Sequence, residues 1–125
     1  MASILVVDGD VGIQNLLKTF IEREGYDVAC AGTGEEALEQ MDKRVAVVLL
    51  EIVLPDMNGL EVLSRIREVS PSTPVIMVTG LADDAIGLES MKRGAADFVT
   101  KPIDLQHLYY LIQFHVLRGD VAAEA

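Results

Sequence analysis

The chain has 125 residues, half of them apolar and 24% charged; that length holds one hydrophobic core, and the composition excludes disordered, fibrous and low-complexity classes. Ten Lys and Arg against twenty Asp and Glu give a formal charge of −10, a field that repels nucleic-acid phosphates and anionic lipid headgroups and argues against direct binding of either. The longest uninterrupted apolar run, Val45 to Leu50, has six residues where a membrane-spanning helix needs ~20. The opening MASILVVDGD has no basic stretch of the kind that begins a secretory signal. A single cysteine, Cys30, cannot close an internal disulfide and fits a reducing cytoplasm.

In chain order, Ile4-Leu-Val-Val7 reads as a short β-branched strand. Ile13, Leu16, Leu17, Phe20 and Ile21 follow at the spacing of one helical face, and Gly25 ends that helix. Asp27 to Cys30 is a second strand, Glu35 to Met41 a short helix, and Val45 to Leu50 a third strand, apolar throughout. Leu60, Leu63 and Ile66 stripe the next helix; Pro74 to Val78 is a fourth strand introduced by the Ser70-Pro-Ser-Thr-Pro74 turn. Asp83 to Arg93 is a helix with an acid at its start and Gly94 past its end, Asp97 to Val99 a fifth strand, and Asp104 to Arg118 the last helix. Residues 1–120 form one domain, and Val121 to Ala125 read as a loose tail.

Strands apolar at every position are covered on both faces, and strand–helix–strand crossovers give a parallel sheet. Sites in such sheets form beyond the carboxyl ends of the strands. The groups there are Asp8-Gly9-Asp10, Glu51, Thr79-Gly80 and Thr100-Lys101-Pro102. Carboxylates are hard ligands for magnesium, while a lysine and a hydroxyl suit phosphoryl oxygens. The Lys101-Pro102 bond is of the type in which cis peptides occur.

Ile4-Leu-Val-Val-Asp8, Leu54-Pro-Asp-Met-Asn-Gly59, Val78-Thr-Gly80 and Gly94-Ala-Ala-Asp-Phe-Val-Thr-Lys-Pro102 together resemble the receiver domain of two-component response regulators over residues 3 to 118. The resemblance implies a flavodoxin-like α/β fold with strand order 2-1-3-4-5. It also implies an aspartate that takes a phosphoryl group from a histidine kinase or phosphotransfer protein, beside magnesium held by three carboxylates, and a downstream effector protein. Asp8 matches the first acid, Val53 the backbone carbonyl ligand, Thr79 the switch hydroxyl, Lys101 the lysine that pairs with the phosphoryl group, and Phe98 the aromatic switch position. Two positions depart from the pattern. Gly9 replaces the second acid, leaving Asp10, one residue on, as a weaker candidate ligand. Glu51 stands at the phosphoacceptor position.

The extra methylene moves the Glu51 carboxylate by ~1.5 Å. Phosphoryl transfer relies on positioning, and an error of ~1 Å can cost ~100-fold in rate. The expectation is therefore a contact module with impaired or partly mimicked phosphorylation and weak magnesium binding, not an enzyme. Two alternatives are a phosphorylatable, magnesium-dependent receiver and a flavin- or nucleotide-binding protein of the same fold. The acidic Asp8-Gly9-Asp10 loop disfavours the latter, because a flavin phosphate wants bare amides and hydroxyls. Gly32-Thr-Gly-Glu-Glu-Ala37 has the outline of a dinucleotide fingerprint, yet it follows the second strand and puts Glu35 and Glu36 where pyrophosphate would bind.

In the last helix Leu105, Leu108, Tyr109, Ile112 and Val116 share one ~100° arc, the core stripe, while Tyr110, Phe114 and Leu117 lie about 150° away. That second stripe predicts a partner surface, most simply a homodimer. His107 and His115 read as surface or boundary residues, and Met57, Met77 and Met91 as core filler.

Overall fold

Five strands and five helices alternate along the computed structural model, which describes residues 2–81 and 83–124, with side chains through residue 119. β1 (Ser3–Val7), β2 (Asp27–Ala31), β3 (Val45–Leu50), β4 (Val75–Thr79) and β5 (Asp97–Thr100) form a single parallel sheet in the order β2-β1-β3-β4-β5. This is the flavodoxin-like order expected. Successive strand side chains point to opposite faces. Leu5, Val7, Val48, Leu50, Val75 and Met77 therefore join one buried cluster, and Ile4, Val6, Val47, Leu49, Ile76 and Val78 the other. α2 (Gly34–Gln40), α3 (Gly59–Val69) and α4 (Asp84–Lys92) cover the first face. α1 (Val11–Arg23) and α5 (Leu105–Glu124) cover the second through Leu17, Ile21, Leu108, Ile112 and Val116.

The helix boundaries follow local chemistry. Thr33, Asn58 and Asp83 accept backbone N–H bonds at the starts of α2, α3 and α4. Gly25 and Gly94, just past α1 and α4, take φ of 95° and 98°, the left-handed conformation glycine adopts at least cost. Two expectations are corrected. The helical backbone continues through Val121 to Glu124, where a loose tail was expected; Ala122, Ala123 and Glu124 are strong helix formers, and Gly119 alone does not stop the helix. Ala125, the end of that tail, lies outside the described residues. Met77 is fully buried and Met57 packs against the first core, but Met91 is 48% exposed and is not core filler. Among the described residues no helix is long and apolar enough to cross a membrane.

Candidate functional site

The parallel ladder continues one residue past three strands. Asp8 N–H donates to the Ala31 carbonyl (3.0 Å), Glu51 N–H to the Val7 carbonyl (2.9 Å) and Lys101 N–H to the Thr79 carbonyl (2.8 Å). These bonds fix the backbones of the three charged residues at one end of the sheet. Their side chains then meet: the Lys101 ammonium donates to Asp8 Oδ2 at 2.8 Å and to Glu51 Oε1 at 2.9 Å. The remaining carboxylate oxygens are also engaged. Asp8 Oδ1 accepts from the Asp10 N–H (2.9 Å), and Glu51 Oε2 from its neighbour Ile52 N–H (2.6 Å). Asp8, Glu51 and Thr79 are 5%, 7% and 0% exposed, so each of these bonds is made where an unpaired charge would be costly.

Burial pushes the Glu51 carboxyl up, but the Thr79 hydroxyl, the Lys101 ammonium and the Ile52 N–H outweigh it and hold the group below the usual carboxylate range. Burial likewise pulls the Lys101 ammonium down, and Asp8 and Glu51 more than offset that, leaving it above the usual lysine value. Thr79 occupies the last position of β4 rather than the loop, and its Oγ1 accepts from Leu81 N–H at 3.1 Å, which ties the loop after β4 to the site. The Lys101–Pro102 peptide is cis.

The other candidate residues lie outside this network. Asp10 caps α1, its Oδ1 accepting from Gly12 N–H (2.8 Å) and Ile13 N–H (3.3 Å). Val53 is exposed in the loop after β3 and forms an isolated bridge with Asn58. Phe98 is half-buried on β5 and packs against the first core. Two supporting residues were not read from sequence. Gln14 Nε2 donates to the Asp8 carbonyl at 2.6 Å. Asp56 accepts from Gly34 N–H (2.8 Å) and Glu35 N–H (3.0 Å), capping α2 from 22 and 21 residues away; these bonds hold its carboxyl below the usual range. The only local signal for Asp56 is an acid inside a Pro–Asn–Gly turn.

Magnesium demands near-octahedral oxygen donors. Here two carboxylates face one another with an ammonium already between them, Gly9 offers no side-chain donor, and Asp10 is committed to the α1 cap. Among the described residues no group of three His, Cys, Asp or Glu side chains could hold a metal. The donor set does not fit a three-carboxylate magnesium site.

The sequence profile of the response regulator receiver domain matches residues 4–113. The chain belongs to this family. Curated relatives of the receiver include the Transcriptional regulatory protein CpxR homolog of Haemophilus influenzae, 38% identical over 86% of this chain and 47% of the relative. Another is the Transcriptional regulatory protein SrrA of Staphylococcus aureus, 38% identical over 79% of this chain and 41% of the relative. The receiver thus spans less than half the length of these relatives. Among solved structures it is similar to a CheY-like receiver domain protein from Methanospirillum hungatei, with a TM-score of 0.92 and 32% identity over 98% of both chains. The BeF3-activated DrrB receiver domain gives 0.87 and 34% over 93% of this chain and 97% of that one.

The outer stripe of α5 is open, with Tyr110, Phe114 and Leu117 at 61%, 42% and 56% exposure. His115 is not a plain surface residue: its Nε2 lies 2.6 Å from Asp97 Oδ2 and ties α5 to β5. The Arg118 guanidinium sits 5.7 Å over the Phe114 ring.

Proposed function

We propose that this receiver signals by protein–protein contact in the cytoplasm, and that Glu51, at the position where the family accepts a phosphoryl group, leaves phosphorylation impaired and partly mimicked. The observation that carries this reading is the Lys101 ammonium held between Glu51 and Asp8. Glu51 already places its carboxylate against the lysine and beside the threonine that the family uses for phosphoryl oxygens. It brings one negative charge where a phosphoryl group brings nearly two, so the imitation is partial. The partners implied are a histidine kinase or phosphotransfer protein and a downstream effector. Incubation with magnesium and acetyl phosphate followed by mass spectrometry tests the reading. The intact chain should gain no phosphoryl mass; a stable adduct that disappears in Glu51→Gln would establish the phosphorylatable alternative.

The contact face lies along α5 and pairs two copies of the chain. β5 is an edge strand, flanked by α4 on one sheet face and α5 on the other. Leu88 and Met91 of α4 are 59% and 48% exposed, so apolar groups are offered from both sides of that edge. Aromatic residues such as Tyr110 and Phe114 are frequent interface hot spots. A charge of −10 per chain opposes pairing, so added salt should tighten the dimer. Sedimentation over a concentration and salt series should show a monomer–dimer equilibrium. The double change Tyr110→Glu with Phe114→Glu should give a folded monomer. A wild type that stays monomeric at high concentration and high salt would exclude self-pairing.

A further inference from the structure

A cavity of about 530 Å³ opens between the start of β3, the loop before β4 and the C-terminal half of α5, at the end of the sheet opposite the Glu51 network. Lys43, Ser70, Ser72, Thr73 and His115 supply its polar lining, and Val45 and Val116 its apolar walls. No acid lines it among the described residues, in a chain where acids outnumber lysine and arginine twenty to ten.

Most of these polar groups are occupied. The Ser70 and Thr73 hydroxyls bond each other at 2.5 Å, and Arg67 donates to the Thr73 carbonyl at 3.2 Å, leaving a further positive charge behind the loop. The His115 ring is engaged by Asp97, its Nε2 lying 2.6 Å from Oδ2. The acid next to Lys43 in sequence, Asp42, is taken by Arg44 at 2.8 Å. The Lys43 ammonium and the Ser72 hydroxyl make no side-chain hydrogen bond or ion pair among the described residues. A donor cation and a donor hydroxyl are thus uncommitted at the mouth of a partly apolar cavity.

We propose that this cavity binds a small organic anion, a carboxylate or phosphate ester with a short apolar body. Lys43 and Ser72 hold the charged end, and the valines cover the body. Its volume falls within the ~300–1,000 Å³ usual for small-molecule sites. The net charge of the chain does not forbid it, because acids beyond a Debye length of ~8 Å are largely screened at physiological salt. The site stands apart from the Glu51 reading and survives its failure.

Titration of the ¹⁵N-labelled protein with phenyl phosphate at constant ionic strength tests it. Amides of residues 43–46, 70, 72, 73 and 115–119 should shift saturably. Phenol, with the same body and no charge, should shift them far less. Lys43→Gln should weaken binding about tenfold, the loss of one charge-assisted hydrogen bond, and Lys92→Gln should leave it unchanged. Shifts centred on Asp8, Glu51 and Lys101, equal binding of phenol, an unaffected Lys43→Gln variant, or the absence of saturation would each overturn the proposal.

Discussion

Gly59→Val leaves little folded protein, and Gly59→Ala lowers the melting temperature by roughly 10 °C or more. Gly59 begins α3, and its N–H donates to the Ile52 carbonyl at 2.6 Å, pressing the helix start onto the end of β3. A Cβ at this position would stand 2.1 Å from the Glu51 carbonyl oxygen and 2.6 Å from Ile52 Cα. Both are backbone atoms, which no rotamer change can move aside. Overpacking that side chains can absorb costs ~1–3 kcal/mol; here the β3–α3 connection itself must shift, and the cost exceeds that range. At roughly 3–6 °C per kcal/mol for a chain of this size, even alanine produces a large drop. Gly119→Ala is the matched control. A Cβ there meets nothing within 4 Å, and the position lies inside α5, so alanine should add ~0.5–1 kcal/mol. Thermal circular dichroism of both variants decides the matter: a Gly59→Ala protein that melts with wild type would show that the close approach constrains nothing. Because the displaced atom is the Glu51 carbonyl, the same variant should also move the amide resonances of Glu51 and Lys101.

The alternation of apolar strands with striped helices was readable because it depends on local periodicity, and the structure places every strand within one residue of its expected ends. The convergence of Asp8, Glu51 and Lys101 was readable because parallel strands bring their carboxyl ends to one edge. The order of the strands came from the family resemblance; five apolar runs alone do not specify it. Legibility failed where a role depends on a distant partner. Asp56 looks like an ordinary turn acid until α2 arrives over it, 22 residues removed in sequence. Asp10 reads from sequence as a weaker candidate ligand, and the start of α1 at Val11 makes it the helix cap instead. Met91 lies on a short helix whose apolar face is too weakly patterned to show which side turns outward. Gly9 has a consequence that composition hides: a Cβ there would stand 3.2 Å from Pro55 Cδ, so restoring the missing acid would first require the Pro55 ring to give way.

Lys101→Met should cost about 2–4 kcal/mol at pH 7, and that cost should shrink as the pH falls. Removing one member of a buried ion pair typically costs ~3–5 kcal/mol because the partner is left charged and unpaired. Lys101 retains 21% side-chain exposure while Asp8 and Glu51 retain only 7% and 9%, which sets the estimate toward the lower end. The pH dependence follows from the directions of the shifts. In wild type the Glu51 carboxyl lies below its ordinary value, so its contribution is present above the unfolded value of ~4.3 and is lost as pH falls through the folded one. The Lys101 ammonium lies above its ordinary value, so its contribution is present below ~10.4 and is lost as pH rises through the folded one. Between those limits wild-type stability from this network is flat. In Lys101→Met the lysine's contribution is gone, burial and the facing Asp8 charge are opposed only by the Thr79 hydroxyl and the Ile52 N–H, and the Glu51 carboxyl rises from its wild-type position. Acidification from pH 7 toward 5 therefore stabilises the variant relative to wild type. Urea denaturation of both proteins from pH 5 to 9 measures the gap. A gap that is constant across that range, or near zero at pH 7, would mean that the lysine does not neutralise the pair. Glu51→Gln added to Lys101→Met removes one of the two facing charges and should recover much of the loss, with a coupling energy that isolates the Glu51–Lys101 contact.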